Sequence, residues 1–344
     1  MRFVVQFLVA GLGGLVFHLL GIPAAWLSGA IVAVVLWSFT GQARPMPPPL
    51  VDAAMLLSGV LMGASVTPET LAAVSRYPSS LVLLLLGLIA ISAASALWLV
   101  KVSGWRRDDA VLASVPGSLT MVLAIAAERN AAVVPITIVQ SFRFLILVTL
   151  LPSGIVLLGG GDASMLIGEG QPVTSPAGLG LALLGGWLVG LGFRRLGVAA
   201  PLLFGGALVT TLLHLTGWAP GVVPPVIATA GLVLIGTFLG DRFQNFDWRT
   251  APALLPAAVE SFAVGITAAG LFAALAAAVS GVGLGEALVA FAPGGLEAMM
   301  VLALILGLDP LYVGTHHLVR MVALGVGVPL LVTWLDRGRV PEVG

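Results

Sequence analysis

Long apolar runs, broken by short polar or Pro/Gly-rich stretches, dominate this chain. In the first half they predict helices at roughly Phe3 to Leu20, Ile22 to Thr40, Leu50 to Val66, Ser79 to Val102 and Ala131 to Leu157. Stretches such as Leu81 to Val100 carry almost no charge and are long enough to cross a hydrocarbon core of about 30 Å as helices. Barrel strands would alternate apolar and polar positions, and these do not. Phe3 to Leu20 lacks the small-residue cleavage site of a secretory signal and counts as the first helix. The pattern restarts near Ala177, Val198, Val222, Pro252 and Leu311.

The restart is a duplication. Shifting the chain by 177 positions places Gly29 on Gly206, Gly59 on Gly236, Gly63 on Gly240, Pro116-Gly117 on Pro293-Gly294, Arg143 on Arg320 and Pro152 on Pro329. Two membrane repeats follow, 1–158 and 177–344, joined by a glycine-rich linker, 159–176, that bears Asp162 and Glu169. Duplicated membrane units are a common architecture of secondary transporters, with the substrate site between the copies near the bilayer midplane.

Two segments resist assignment: Ala110 to Ala127 and Ala287 to Leu306, interrupted by Pro116-Gly117-Ser118 and Pro293-Gly294-Gly295. Proline removes a helical hydrogen bond and glycine loosens the backbone, so each segment is expected to break and turn back. Lysines and arginines near helix ends collect on the cytoplasmic side, which tests this. If both segments cross, Arg2, Arg44, Lys101, Arg106, Arg107, Arg337 and Arg339 lie inside and Arg76, Arg129, Arg194, Arg195, Arg242 and Arg249 outside, seven against six. If both enter and return, all but Arg76 lie inside, twelve against one. The expected fold is therefore an all-α polytopic membrane protein with two inverted repeats, each of five transmembrane helices plus one re-entrant Pro-Gly hairpin. Both termini are expected in the cytoplasm, and the protein in the cytoplasmic membrane. Twelve crossings with kinked helices and parallel repeats is the competing topology.

Composition agrees with a membrane protein. Hydrophobic residues make up 59% and charged residues 9% of the 344, against roughly 45–50% and about 25% in soluble domains. Cysteine is absent and the formal net charge is zero, so thiolate chemistry is excluded and bulk charge gives no hint of nucleic acid.

The candidate chemistry lies in polar residues within apolar segments. Arg143, in Gln140-Ser141-Phe142-Arg143, and Arg320, in His316-His317-Leu318-Val319-Arg320, sit mid-helix. A central arginine costs about 2.5–3.5 kcal/mol on insertion scales, so it needs protein, water or a partner. Two roles fit: a counter-charge for an anionic substrate, or a donor to carbonyls freed at the broken segments. The breaks themselves, with Pro116, Gly117, Ser118, Thr120, Gly294 and Gly295, offer backbone and hydroxyl contacts to a ligand or form compact turns. Gln140 and His317 are further binding candidates. Glu297 follows the second break where the first copy has Thr120; pairing with Arg320 and carrying a coupling proton both fit. Glu260 and His316 are further coupling candidates. Adjacent on a helix, His316 and His317 point about 100° apart and make a poor metal centre. Gly59-Val60-Leu61-Met62-Gly63 and Gly236-Thr237-Phe238-Leu239-Gly240 read as close-packing seams. Asp309-Pro310 reads as a helix cap, and Trp105-Arg106-Arg107-Asp108-Asp109 as a solvated loop.

Gly21-Ile22-Pro23-Ala24-Ala25-Trp26-Leu27-Ser28-Gly29 is answered by Gly197-Val198-Ala199-Ala200-Pro201-Leu202-Leu203-Phe204-Gly205-Gly206. With the Pro-Gly segments each followed by a helix bearing one arginine, this pattern resembles the membrane AbrB family, defined by a duplicated membrane domain, over nearly the whole chain. The resemblance implies a multi-pass membrane protein and transfers no catalytic residue. Members are variously labelled regulators of gene expression or ammonia monooxygenases. A monooxygenase needs several converging histidines or carboxylates around copper or iron, and a direct DNA regulator an exposed basic reading element. This sequence has neither.

The expected function is an ion-coupled secondary transporter for a small anionic metabolite, an organic acid being the class that fits, with proton or sodium as coupling ion and alternating access. No enzyme activity, cofactor or nucleic-acid partner is expected; the long apolar helices in the lipid bilayer permit a homodimer. The alternative is a multi-pass membrane sensor or scaffold that regulates gene expression indirectly.

Overall fold

A computed structural model describes residues 2–116, 119–129, 131–161, 172–198, 200–244 and 246–337. Among them the regular structure is helical, with one isolated bridge between Val173 and Val222. The first copy holds α1 (Arg2–Leu19), α2 (Ala25–Ser38), α3 (Pro48–Gly63), α4 (Pro68–Ala73), α5 (Tyr77–Lys101), α6 (Arg107–Ser114), α7 (Leu119–Glu128) and α8 (Val133–Leu157). The second holds α9 (Pro176–Arg195), α10 (Pro201–Leu215), α11 (Pro225–Gly240), α12 (Ala251–Ser280), α13 (Leu284–Phe291), α14 (Leu296–Ile305) and α15 (Pro310–Arg337). The shift of 177 carries α3, α6 and α7 onto α11, α13 and α14 residue for residue.

Among the described residues, six helices are long and apolar enough to cross a membrane: α5, α8, α9, α11 extended to Phe243, α12 and α15 as far as Val328. The chain is a multi-pass membrane protein. Both doubtful segments are broken at proline, into α6 and α7 and into α13 and α14. Helix starts follow local chemistry. Proline stands at the first turn of α3, α9, α10, α11 and α12, where its missing N–H costs nothing. The Asp309 carboxylate accepts from the amides of Leu311 and Tyr312, at 2.8 and 3.3 Å, and caps α15 as expected. The short helix α4 was not foreseen.

The compact units do not follow the two copies. One comprises 1–75, 146–246 and 297–313, the other 76–145, 247–296 and 314–344, so each draws on both copies. In the first unit α2 packs on α1 and α11, while α10 packs on α9 and α3. Lipid tails are as apolar as leucine, so such packing relies on close van der Waals approach rather than on hydrophobic exclusion. Glycine provides that approach. A Cβ on Gly59 would lie 2.9 Å from the Ala207 amide nitrogen, and one on Gly63 2.7 Å from Thr210 Cβ, both on α10. Its counterpart on Gly236 would lie 2.7 Å from Ala30 Cβ, and on Gly240 2.7 Å from Val34 Cβ, both on α2. The two seams are therefore the same contact made twice, each joining one copy to the other.

Ahead of α2 and α10, Ala24 and Ala200 adopt left-handed backbone, φ 55° and 45°, a conformation that costs an L-residue roughly 1–2 kcal/mol. In the same unit the Asp241 carboxylate is buried and accepts from Gln6 Nε2 (2.5 Å) and the Met46 amide (2.6 Å). Gln6 Oε1 in turn accepts from the Arg44 amide at 2.8 Å, tying the start of α1 to the loop after α2 and the end of α11.

The second unit is built on α5 and α12, with α6 packed on α5 and α13 on α12. Leu99, Leu112, Val122, Ile136, Val139 and Ala258 form its core around the first broken segment. Asp108 and Asp109, expected in a solvated loop, are buried in the first turn of α6 instead. Asp109 accepts from the Ala132 amide at 2.8 Å, and Asp108 lies 3.7 Å from Arg129. Paired carboxylates at a helix N-terminus thus hold the entry to α8, where charge meets the positive end of the helix dipole.

Candidate functional site

The broken helices create the problem that defines the site. Each break ends a helix inside the protein and leaves carbonyls without an intrahelical donor. Buried carbonyls need partners. α8 and α15 supply them.

From α8, Gln140 Nε2 donates to the Leu112 carbonyl at 2.8 Å, and Arg143 Nη1 and Nη2 donate to the carbonyls of Ser114 and Val115 at 3.3 and 3.2 Å. From α15, His317 Nε2 donates to the Val289 carbonyl at 3.0 Å, and Arg320 donates to the carbonyls of Ala292 and Gly294 at 2.6 and 2.8 Å. Positions 140 and 317, 143 and 320, 112 and 289, and 115 and 292 are all repeat-equivalent. Each helix therefore grips the segment 28 residues before it in the same way. Both grips lie in the second compact unit, and the two guanidinium groups repel one another electrostatically.

The second grip has an added member. Arg320 Nη2 also donates to His317 Nδ1. Because Nε2 faces a carbonyl, it must carry the proton, and Nδ1 is left as the acceptor that a guanidinium requires. His317 is thereby fixed as the neutral Nε2–H tautomer. On the neighbouring face, His316 Nε2 lies 2.8 Å from Ser80 Oγ, whose own proton goes to the Tyr77 carbonyl. That ring also contacts the rings of Tyr77 and Phe291, each at 6.0 Å between centroids.

The remaining candidates divide. Pro116 is buried at the first break, Gly294 supplies a carbonyl at the second, and Gly295 is half-buried beside it. Gly117 and Ser118 lie outside the described residues, as does the side chain of Thr120 on α7. Glu260 on α12 accepts from Trp98 Nε1 at 3.1 Å. Glu297, in the first turn of α14, falls in the other unit with its carboxylate 3.9 Å from Arg242, and Arg320 is turned to the break carbonyls.

Sequence reasoning missed Ser80 and Tyr77, whose repeat-equivalents Ala257 and Leu254 carry no matching polar group and so give no signal. It also missed the Leu112 and Val289 acceptors. Their identity as backbone carbonyls is invisible to residue type, although the conserved spacing between copies marks them.

The family model described as "Transition state regulatory protein AbrB" matches residues 26–336. Over 340 residues, covering 91% of this chain and 88% of the relative, the chain is 20% identical to the uncharacterized protein YhjN of Bacillus subtilis (strain 168). No solved structure matches.

Proposed function

Because this chain belongs to the AbrB family and carries a clamped break in each of its two copies, we propose that it is an ion-coupled secondary carrier for a small anionic metabolite. An organic acid is the class that fits best. The observation that carries this reading is the pair of intramembrane arginines, one per copy, held at the breaks within one compact unit.

A guanidinium has five N–H donors in a planar fork. Among the described residues Arg143 uses two and Arg320 three, so each supports its break and keeps donors for a carboxylate. In this reading each broken segment enters and leaves on one face. Folded back at the break, the eight residues of α6 and ten of α7 reach about 12 and 15 Å, close to the midplane of the roughly 30 Å core. The odd number of five full crossings per copy then inverts the second repeat, places both termini in the cytoplasm and exposes the site alternately to the two sides. The carrier works without chemical turnover of its cargo, and proton or sodium supplies the drive.

The family description names a regulator. Transport of a signalling metabolite would give this chain a regulatory effect without contact with nucleic acid. Purified protein in liposomes, loaded with sodium or pH gradients and offered radiolabelled di- and tricarboxylates, tests the carrier. Saturable, gradient-dependent accumulation is expected; failure with every acid and gradient abandons it.

A further inference from the structure

The two grips differ at one titratable position, and that difference carries a coupling site. Gln140 and His317 are repeat-equivalent and make the same bond to a break carbonyl. Glutamine does this at any pH. Histidine does so too, but it also accepts from Arg320, and that bond lasts only while Nδ1 keeps its lone pair. We propose that His317 Nδ1 is the proton-binding site of the carrier, and that its protonation releases Arg320 toward the anion; this rests on the carrier reading above.

The step balances simply. One proton adds to Nδ1, the Arg320 Nη2–H bond to that nitrogen is lost, and the Nε2–H bond to Val289 persists. Charge at the grip rises by one. The groups facing it are unfavourable to that added charge: Arg320 and His316 on the same helix, and Arg143 from α8, add repulsion. From α13 the titratable residue is Glu286, which turns back against Gly283; from α5 they are Tyr77, beside His316, and Lys101 at the opposite end of that helix; from α12 it is Glu260, held by Trp98. An arriving carboxylate offsets the added charge and takes the donor that Arg320 has freed. Proton and anion therefore each raise the affinity for the other, as linkage requires.

Gln at 317 is already tolerated by the fold at position 140, so His317→Gln keeps the carbonyl bond and removes the proton site. The full chain, labelled with 15N-histidine and placed in lipid nanodiscs, is titrated with succinate present from about pH 8 to about pH 4, a window that extends below that of an ordinary imidazole, with His316→Gln and His317→Gln assigning the signals. The resonance missing from His317→Gln should be Nε2–H with a bare Nδ1 at the alkaline end and gain its second proton on acidification, with the Arg320 guanidinium signal moving in step. A proton on Nδ1 at the alkaline end, no titration, or an unmoved guanidinium overturns the assignment. In proteoliposomes succinate is the probe. Wild-type accumulation should rise about tenfold per unit of inward acid gradient for one coupled proton, and His317→Gln should lose that dependence. Equal stimulation of the variant overturns the coupling. A wild type that moves no succinate sinks the carrier reading for this cargo, while the spectra still decide the proton site.

Discussion

The first grip, Gln140 and Arg143 of α8 holding the end of α6, and the second, His317 and Arg320 of α15 holding the end of α13, meet equivalent carbonyls with different side chains. What is common to both is what the breaks demand: an amide-like or imidazole donor one turn before an arginine, aimed at the last carbonyls of a short helix. What differs is titratability, bond length and burial. Arg320 is 4% exposed with bonds of 2.6 and 2.8 Å, whereas Arg143 is half-buried with bonds of 3.3 and 3.2 Å. The shared part is support, and the unshared part is where function has room to specialise.

The comparison can be broken most forcefully at the arginines. Arg320→Ala should cost about 3–5 kcal/mol, since its bonds to the two break carbonyls and to His317 vanish and leave the buried carbonyls bare. Arg143→Ala should cost about 1–3 kcal/mol, because its bonds are longer and water reaches it more easily. Thermal unfolding of both variants in one detergent measures this, and equal losses would show that the grips are energetically alike.

Next come the seams that exchange partners between copies. Gly59→Ala places its methyl against backbone of α10, which cannot yield, and should destabilise by about 2–3 kcal/mol. Gly240→Ala meets Val34 Cβ and Cγ1 at 2.7 and 2.9 Å, with the nearest backbone atom farther off at 3.3 Å, and should cost about 1–2 kcal/mol. The reverse order in chemical denaturation would mean that the two seams bear load differently from their geometry.

Removing the lesser donor of the first grip sharpens the contrast further. Gln140→Leu leaves the Leu112 carbonyl unpaired and should cost about 1–2 kcal/mol, read by the same thermal assay. No loss would show that another donor replaces it. The smallest effect is expected at the left-handed caps. Ala24→Gly and Ala200→Gly each relieve about 1–2 kcal/mol of backbone strain against about 0.5–1 kcal/mol of added chain entropy, so each should raise the melting point slightly. A clear drop in either would show that the alanine methyl is a packing contact.

Much of this was legible in the residues alone. Helix boundaries followed apolar runs, so Pro48–Gly63 and Pro225–Gly240 fall where Leu50 and Val222 announced them. Pro116 and Pro293 marked both breaks, because proline cannot continue a helical ladder whatever surrounds it. Asp108 and Asp109 misled, since consecutive charges look solvated and only their bonds to Ala132 and Arg129 reveal burial.

The sequence by itself determined that this protein is a duplicated bundle of apolar helices with a break in each half, because periodicity, proline and repeat spacing are local or self-referential properties of a chain. Only the tertiary structure decided that Arg143 and Arg320 face carbonyls, that Glu297 meets Arg242, and that His317 is caught between Val289 and Arg320. A side chain's partner depends on which backbone groups packing leaves without a donor, and no residue type records that.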